Sequence, residues 1–176
     1  MAQEQSAHEQ TGHGGRTFAQ AGIPSRAAIA GHPIHPMLIP LPLGLLTMVP
    51  FSDVVFLVSR DPFWAQASWW LLLVGGVTAV VAAGVGLMDF VGIRAVREHR
   101  HGWFHMLGNV LAVAVTLANL LVRDGPRAET AGAVGVILSF ATLGILVFSG
   151  WSGGELVYRH RIGVLDHASA QRHGGG

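Results

Sequence analysis

The chain contains no cysteine and no lysine. Without cysteine there are no disulfides, thiolate metal sites or iron–sulfur clusters, and no C-x-x-C-H attachment for c-type haem. Without lysine there is no Schiff-base or P-loop lysine, and all 11 basic side chains are arginine. Charge is scarce: Asp, Glu, Lys and Arg make up 12% of residues, against about 25% in an ordinary soluble domain. A net charge of +1 gives no electrostatic reason to bind nucleic acid. No basic patch is interleaved with aromatic residues in the manner of a single-strand binder. There is no H-E-x-x-H zinc helix. The serine-containing run Ser149–Gly154, SGWSGG, is read as helix-end packing with no assigned base, not as a hydrolase elbow. The sequence favours a protein that is not an enzyme.

Apolar residues are what the chain has in excess. They make up 51% of 176 residues, with 24 Gly and five Trp, and mean hydropathy is +0.47. They gather into four runs: Met37–Val58, Phe63–Met88, Trp103–Val122 and Ala131–Trp151. Each meets the requirement of about 20 mostly apolar residues for crossing a bilayer. The predicted fold is therefore all-α: an integral membrane protein with four transmembrane helices in an up-and-down bundle, residues 27–165. The flanking segments, 1–26 and 166–176, are polar and Gly-rich and are expected to be disordered tails. No run of signal-peptide length precedes the first helix.

Arginine placement sets the expected orientation. Arg16, Arg26, Arg94, Arg97, Arg100, Arg159, Arg161 and Arg172 fall on one face, and Arg60, Arg123 and Arg127 on the other. That imbalance places both termini in the cytoplasm, in a bacterial inner membrane. Short connections, Ser59–Pro62 and Arg123–Thr130, suit antiparallel neighbours. Val91–His99 reads as a short interfacial helix. Pro36, Pro40 and Pro42 crowd the start of the first helix, where missing N–H groups matter least. Pro50 lies deep enough to disturb it. Gly75, Ala79 and Ala83, with Gly132, Gly135, Ser139 and Gly144, form small-residue packing faces. Trp64, Trp69, Trp70, Trp103 and Trp151 sit near segment ends as interfacial anchors. No convincing sequence repeat joins the two halves.

Alternating helices bring His32, His35, Asp89, His101, His105, Glu155 and His160 to one membrane face. Ionisable groups inside a membrane are costly and are functional suspects. In a simple bundle the first and third helices are diagonal, so His35 and His105 face each other, and Asp89 and Glu155 form the other diagonal. Two chemistries suit this set. His35 and His105 are the natural axial pair for a b-type haem, with Met37, Met88 or Met106 able to replace one. Alternatively, histidines and carboxylates together suit a Zn or Fe ion. His101 and His105 share a helical face if the third helix starts early enough. Asn109, one turn on, reads first as interhelical glue and second as a group that orients a histidine ligand. A plainer reading competes with both. Helix ends carry polar residues routinely, and Asp89 and Glu155 have Arg94, Arg97 and Arg159 as local partners.

At the other end, Asp53 and Asn119 lie at comparable depth. An intramembrane Asp needs a partner, and Asn119, Arg60 and Arg123 are in range. A structural pairing with arginine is favoured over a proton relay, because the stretches between Asp53 and the histidines are mostly apolar. Thr47, Thr78 and Thr116 are the exceptions.

Several of these residues fall in stretches that resemble one family. GHPIHPMLIPLPLGLL at Gly31–Leu46 followed by Asp53, GLMDF at Gly86–Phe90, WFHMLGN at Trp103–Asn109 and GWSGGELVYRHRIGV at Gly150–Val164 are similar to bacterial membrane proteins grouped as domain of unknown function 2231. The resemblance covers about residues 27–165 and implies a four-helix inner-membrane protein of unestablished activity. Relatives resemble modules found beside c-type cytochrome domains, which implies a redox setting. Arg161 departs from the family, which more often has Gly there. Three functions follow as expectations: a small redox, metal or haem module; a non-catalytic membrane subunit or assembly factor that binds another membrane protein or a second copy; and a proton or solute transporter. All three have the lipid bilayer as a partner.

Overall fold

A computed structural model describes residues 25, 27–30, 32–123, 125 and 132–159. Apart from Ser25, which is described and bonds Asp89, the two expected tails, together with His160 and Arg161, lie outside the described residues. A two-stranded antiparallel hairpin, β1 (Ala28–Ile29) and β2 (His32–Pro33), leads into α1 (Ile34–Leu38) and α2 (Pro40–Ser59). Then come α3 (Pro62–Gly92), the short α4 (Arg94–Glu98), α5 (Arg100–Arg123) and α6 (Ala133–Tyr158).

Local chemistry sets the boundaries. Proline at 40 and 42 removes two N–H donors, and the ladder breaks at Ile39. Its N–H still reaches the His35 carbonyl at 3.2 Å, so α1 and α2 form one apolar span. Helix α2 continues through Pro50. Asp61 caps α3 by accepting from the Phe63 N–H at 2.9 Å, with Pro62 in the first turn. Arg97 reaches back to the carbonyls of Phe90 and Val91 at the end of α3. The expected interfacial helix is α4. Helix α5 begins at Arg100, so His101 and His105 do lie on one helix.

Four helices are long and apolar enough to cross a membrane: Ile34–Ser59, Pro62–Gly92, Arg100–Arg123 and Ala133–Tyr158. Each extends past the apolar run that announced it, because helical hydrogen bonding does not stop where hydropathy falls. Helix α2 packs on α3 and α6, and α5 packs on α6 and α3. This closes a ring with α2 and α5 on one diagonal. The result is a four-helix membrane bundle. Its polarity is turned inward. Large apolar residues such as Leu121, Ile137 and Trp151 face outward. The interior holds Ser52, Asp53, Ser68, Thr116, Asn119, Arg123, Ser139 and Thr142. Leu46, Val49 and Leu72 form a small apolar plug halfway along.

The interior is organised by an ion pair. Asp53 on α2 and Arg123 on α5 are 0% and 1% exposed, and their closest N–O distance is 2.7 Å. The contact is a fork: Nη1 donates to Oδ1 at 2.9 Å and Nη2 to Oδ2 at 2.7 Å. The Arg123 Nε donates to the Asn119 carbonyl oxygen at 2.9 Å. Its remaining donors reach Ser68 on α3 and Ser139 on α6. All four helices therefore meet at this one cation. Arg123, which the sequence offers both as a charge on the outer face and as a partner for Asp53, is an interior residue paired with Asp53.

Removing one member of a buried pair strands a charge, typically costing about 3–5 kcal/mol. Asp53→Ala and Arg123→Ala should each show a loss of that order in detergent unfolding. The double change Asp53→Leu with Arg123→Met should recover at least half of it, since no charge is then left buried.

Candidate functional site

At the other end of the bundle the structure brings two of the seven predicted site residues together. His35 on α1 and His105 on α5 have ring centroids 6.2 Å apart and planes at 77°. Each ring is pinned the same way. The Nδ1 of His35 lies 2.9 Å from the Ala82 carbonyl on α3, and the Nδ1 of His105 lies 2.8 Å from the Ser149 carbonyl on α6. A carbonyl only accepts, so each Nδ1 carries the proton. In the neutral ring the lone pair is then on Nε2, the state in which a histidine binds metal.

Room for each imidazole comes from a glycine one turn beyond the accepting carbonyl. A Cβ on Gly86 would lie 2.6 Å from His35 Cε1, and one on Gly153 would lie 2.8 Å from His105 Cε1. The same device thus occurs twice: a histidine bonded to a helix carbonyl, with glycine four residues later.

His160 lies outside the described residues, and the other four predicted ligands do not join this pair. His32 is exposed on the hairpin, its Nδ1 3.0 Å from the Ala30 carbonyl. Asp89 accepts from the Ser25 hydroxyl at 2.6 Å and the Ala27 N–H at 3.1 Å, tying the hairpin to α3. Glu155 pairs with Arg159 at 2.8 Å. The His101 ring stands edge-on to Phe104, and its buried Nδ1 has no hydrogen-bond partner among the described residues. Asn109 does not accept from an imidazole N–H. Its amide donates to the His105 carbonyl at 2.8 Å and lies 3.2 Å from Nε2. Met37 and Met88 are 68% and 65% exposed, turned away from the pair. Among the described residues no group of three or more His, Asp or Glu side chains is placed to hold a metal ion.

Gly150–Gly154 spells G-x-S-x-G. It lies inside α6, where the Ser152 hydroxyl donates to the Phe148 carbonyl at 3.1 Å, so it forms no strained elbow.

Sequence reading missed a positional duplication. His35 and His105 are as far apart in the chain as Asp53 and Arg123, 70 residues. At that offset several buried positions of α2 and α5 coincide: Pro42 with Ala112, Leu46 with Thr116, Val49 with Asn119. Helices α3 and α6 match at their own constant offset: Leu72 with Ser139, Gly75 with Thr142, Ala82 with Ser149, Gly86 with Gly153. The hairpins α2–α3 and α5–α6 thus share part of their buried pattern. Their equivalent residues meet on the diagonal, as His–His at one end and Asp–Arg at the other. The residue types differ at nearly every matched position, which hides the repeat from inspection of the sequence. Only the spacing of the ionisable residues could have signalled it.

These features define a helical membrane bundle with a polar axis. The family described as predicted membrane protein, domain of unknown function 2231, matches residues 31–166, and the chain belongs to that family. No curated protein and no solved structure matches the chain.

Gly86→Ala and Gly153→Ala should displace the imidazoles and lower the melting temperature. Gly84→Ala and Gly144→Ala, where a Cβ meets nothing within 4 Å, should be neutral or stabilising by up to about 1 kcal/mol. Thermal unfolding of the four variants in one detergent checks this contrast.

Proposed function

We propose that the protein is a small membrane module that holds a metal-centred group at His35 and His105, in a redox setting. The site would lie at the cytoplasmic face of a bacterial inner membrane, where the arginine excess falls. The single observation that carries this reading is the convergence of two imidazoles from diagonal helices. Both Nδ1 protons are bonded to backbone, which leaves Nε2 of each ring as a donor to a shared ligand. The sequence offers b-type haem, Zn or Fe as the group. The test is metal analysis together with oxidised and reduced absorption spectra of the detergent-purified chain. The expected result is about one equivalent of metal or haem per chain, lost in His35→Ala and His105→Ala. Protein with neither a chromophore nor stoichiometric metal overturns the reading.

A second reading has its own support. Asp89 and Glu155 have partners within the protein, and each histidine already bonds a neighbouring helix. On that basis the chain is a non-catalytic subunit or assembly factor, and the histidines are helix clamps. His35→Ala and His105→Ala would then cost about 1–3 kcal/mol of stability without removing any bound group. Transport has least support. Asp53 is closed by Arg123, and Leu46, Val49 and Leu72 stand between that pair and the histidines.

A further inference from the structure

Counting donors narrows the ligand at the histidine pair, an inference that rests on the metal-holding reading above. Structural zinc takes four ligands, and catalytic zinc keeps three from the protein. Non-haem iron with open positions takes two histidines and a carboxylate. Here the nearby carboxylates are engaged elsewhere, Asp89 with the hairpin and Glu155 with Arg159. Among the described residues no third His, Asp or Glu completes a set. Met106, the remaining thioether of the region, packs into the apolar cluster of Phe90 and Leu156.

Haem needs a flat slot between the imidazoles. Two open apolar grooves on the bundle lie elsewhere, one along α5 and α6 past Leu107 and Gly144, the other along α3 past Gly84 and Leu87. Neither is lined by either histidine. Helix α3 packs on α5, and α2 on α6, and the His35 and His105 rings are bonded to α3 and α6 themselves.

We propose that His35 and His105 form a two-coordinate site for a monovalent copper ion, Cu(I), with the two Nε2 atoms as its donors. Copper accepts imidazole, and a closed-shell ion tolerates a ligand set of two. Two metal–nitrogen bonds of about 2 Å, with half of each ring, span about 6 Å between centroids. The observed 6.2 Å matches this without moving a helix. The rings meet at 77°, and two-coordinate ligation sets no required angle between ring planes, because each ring can turn about its own metal–nitrogen bond. A single positive charge between neutral ligands also costs less to bury than a divalent one. Asn109, 3.2 Å from the His105 Nε2, gives up only its longer contact and keeps its 2.8 Å bond to the backbone.

The test is anaerobic titration of the full chain in detergent with Cu(I) against a chromogenic Cu(I) chelator, followed by X-ray absorption at the copper edge. The expected result is one equivalent bound through two nitrogens. Affinity should fall at least tenfold in His35→Ala and in His105→Ala, and hold in His101→Ala. Absorption on the unaltered protein keeps the test independent of whether the histidine variants fold. Three or more protein ligands at copper overturn the two-coordinate site. So does Cu(I) bound equally well by both histidine variants. Haem or zinc bound through His35 and His105 in place of Cu(I) overturns the copper assignment and leaves the metal-holding reading standing. Protein that binds none of these overturns both.

Discussion

A carboxylate or guanidinium without a partner is among the costliest groups to place between membrane helices. Asp53 and Arg123 occupy diagonal helices, α2 and α5, which have few other reasons to stay in register. Their forked contact fixes that register, and the spare donors of Arg123 extend it to Ser68 on α3 and Ser139 on α6. In lipid, apolar side chains gain little by turning toward one another, so association rests on close packing and polar contacts. Small interior residues serve the same end. Gly135 lets α6 approach the Arg123 and Asn119 side chains, and Gly75 receives Leu46. Once this end is closed, the positions of the four helices at the opposite end follow.

The histidine end is the counterpart of that junction. Equivalent positions of the two hairpins meet there too, but the residues are alike and not complementary. Two neutral imidazoles do not attract as Asp and Arg do. Each is held instead by a carbonyl of its own hairpin partner, and the space between the rings is not filled by a mutual bond. The Asp53–Arg123 junction uses complementary charge, whereas His35 and His105 are two like rings, 6.2 Å apart, each bonded to a backbone carbonyl. Thr116 and Thr142, whose buried hydroxyls have no partner among the described residues, stand between the ends on the α5–α6 side. Their counterparts on the other hairpin are Leu46 and Gly75, so the polar character of the axis is lopsided midway.

Much of this was legible in the residues. The four apolar runs, the arginine excess on one face and the need of Asp53 for a partner all follow from hydropathy and charge along the chain. So did the placing of His35 opposite His105, since alternating helices in a square put the first and third on a diagonal. The rest of the cluster was not legible. Sharing a membrane face says nothing about which way a side chain turns within it. Asp89 turned to Ser25 and Ala27, Glu155 to Arg159, and Met37 and Met88 outward. Arg123 reads two ways in the sequence, as a charge on the outer face and as a partner for Asp53, and its burial beside Asp53 decides for the second. The serine motif in α6 carried the letters of a nucleophile elbow without its backbone.

By itself the sequence determined the class: an all-helical chain of four spans, because hydrocarbon leaves a continuous apolar segment no alternative to satisfying its backbone internally. It also determined which residues would be too polar to face lipid. The tertiary structure decided how those residues were shared out. Pairing depends on distances across helices that are far apart in the chain, and on gaps such as Gly86 and Gly153 that matter only once a ring is seated against them. Composition and spacing cannot express that geometry, and so they could not separate His35 and His105, whose rings meet, from His32, Asp89, His101 and Glu155, which turn elsewhere.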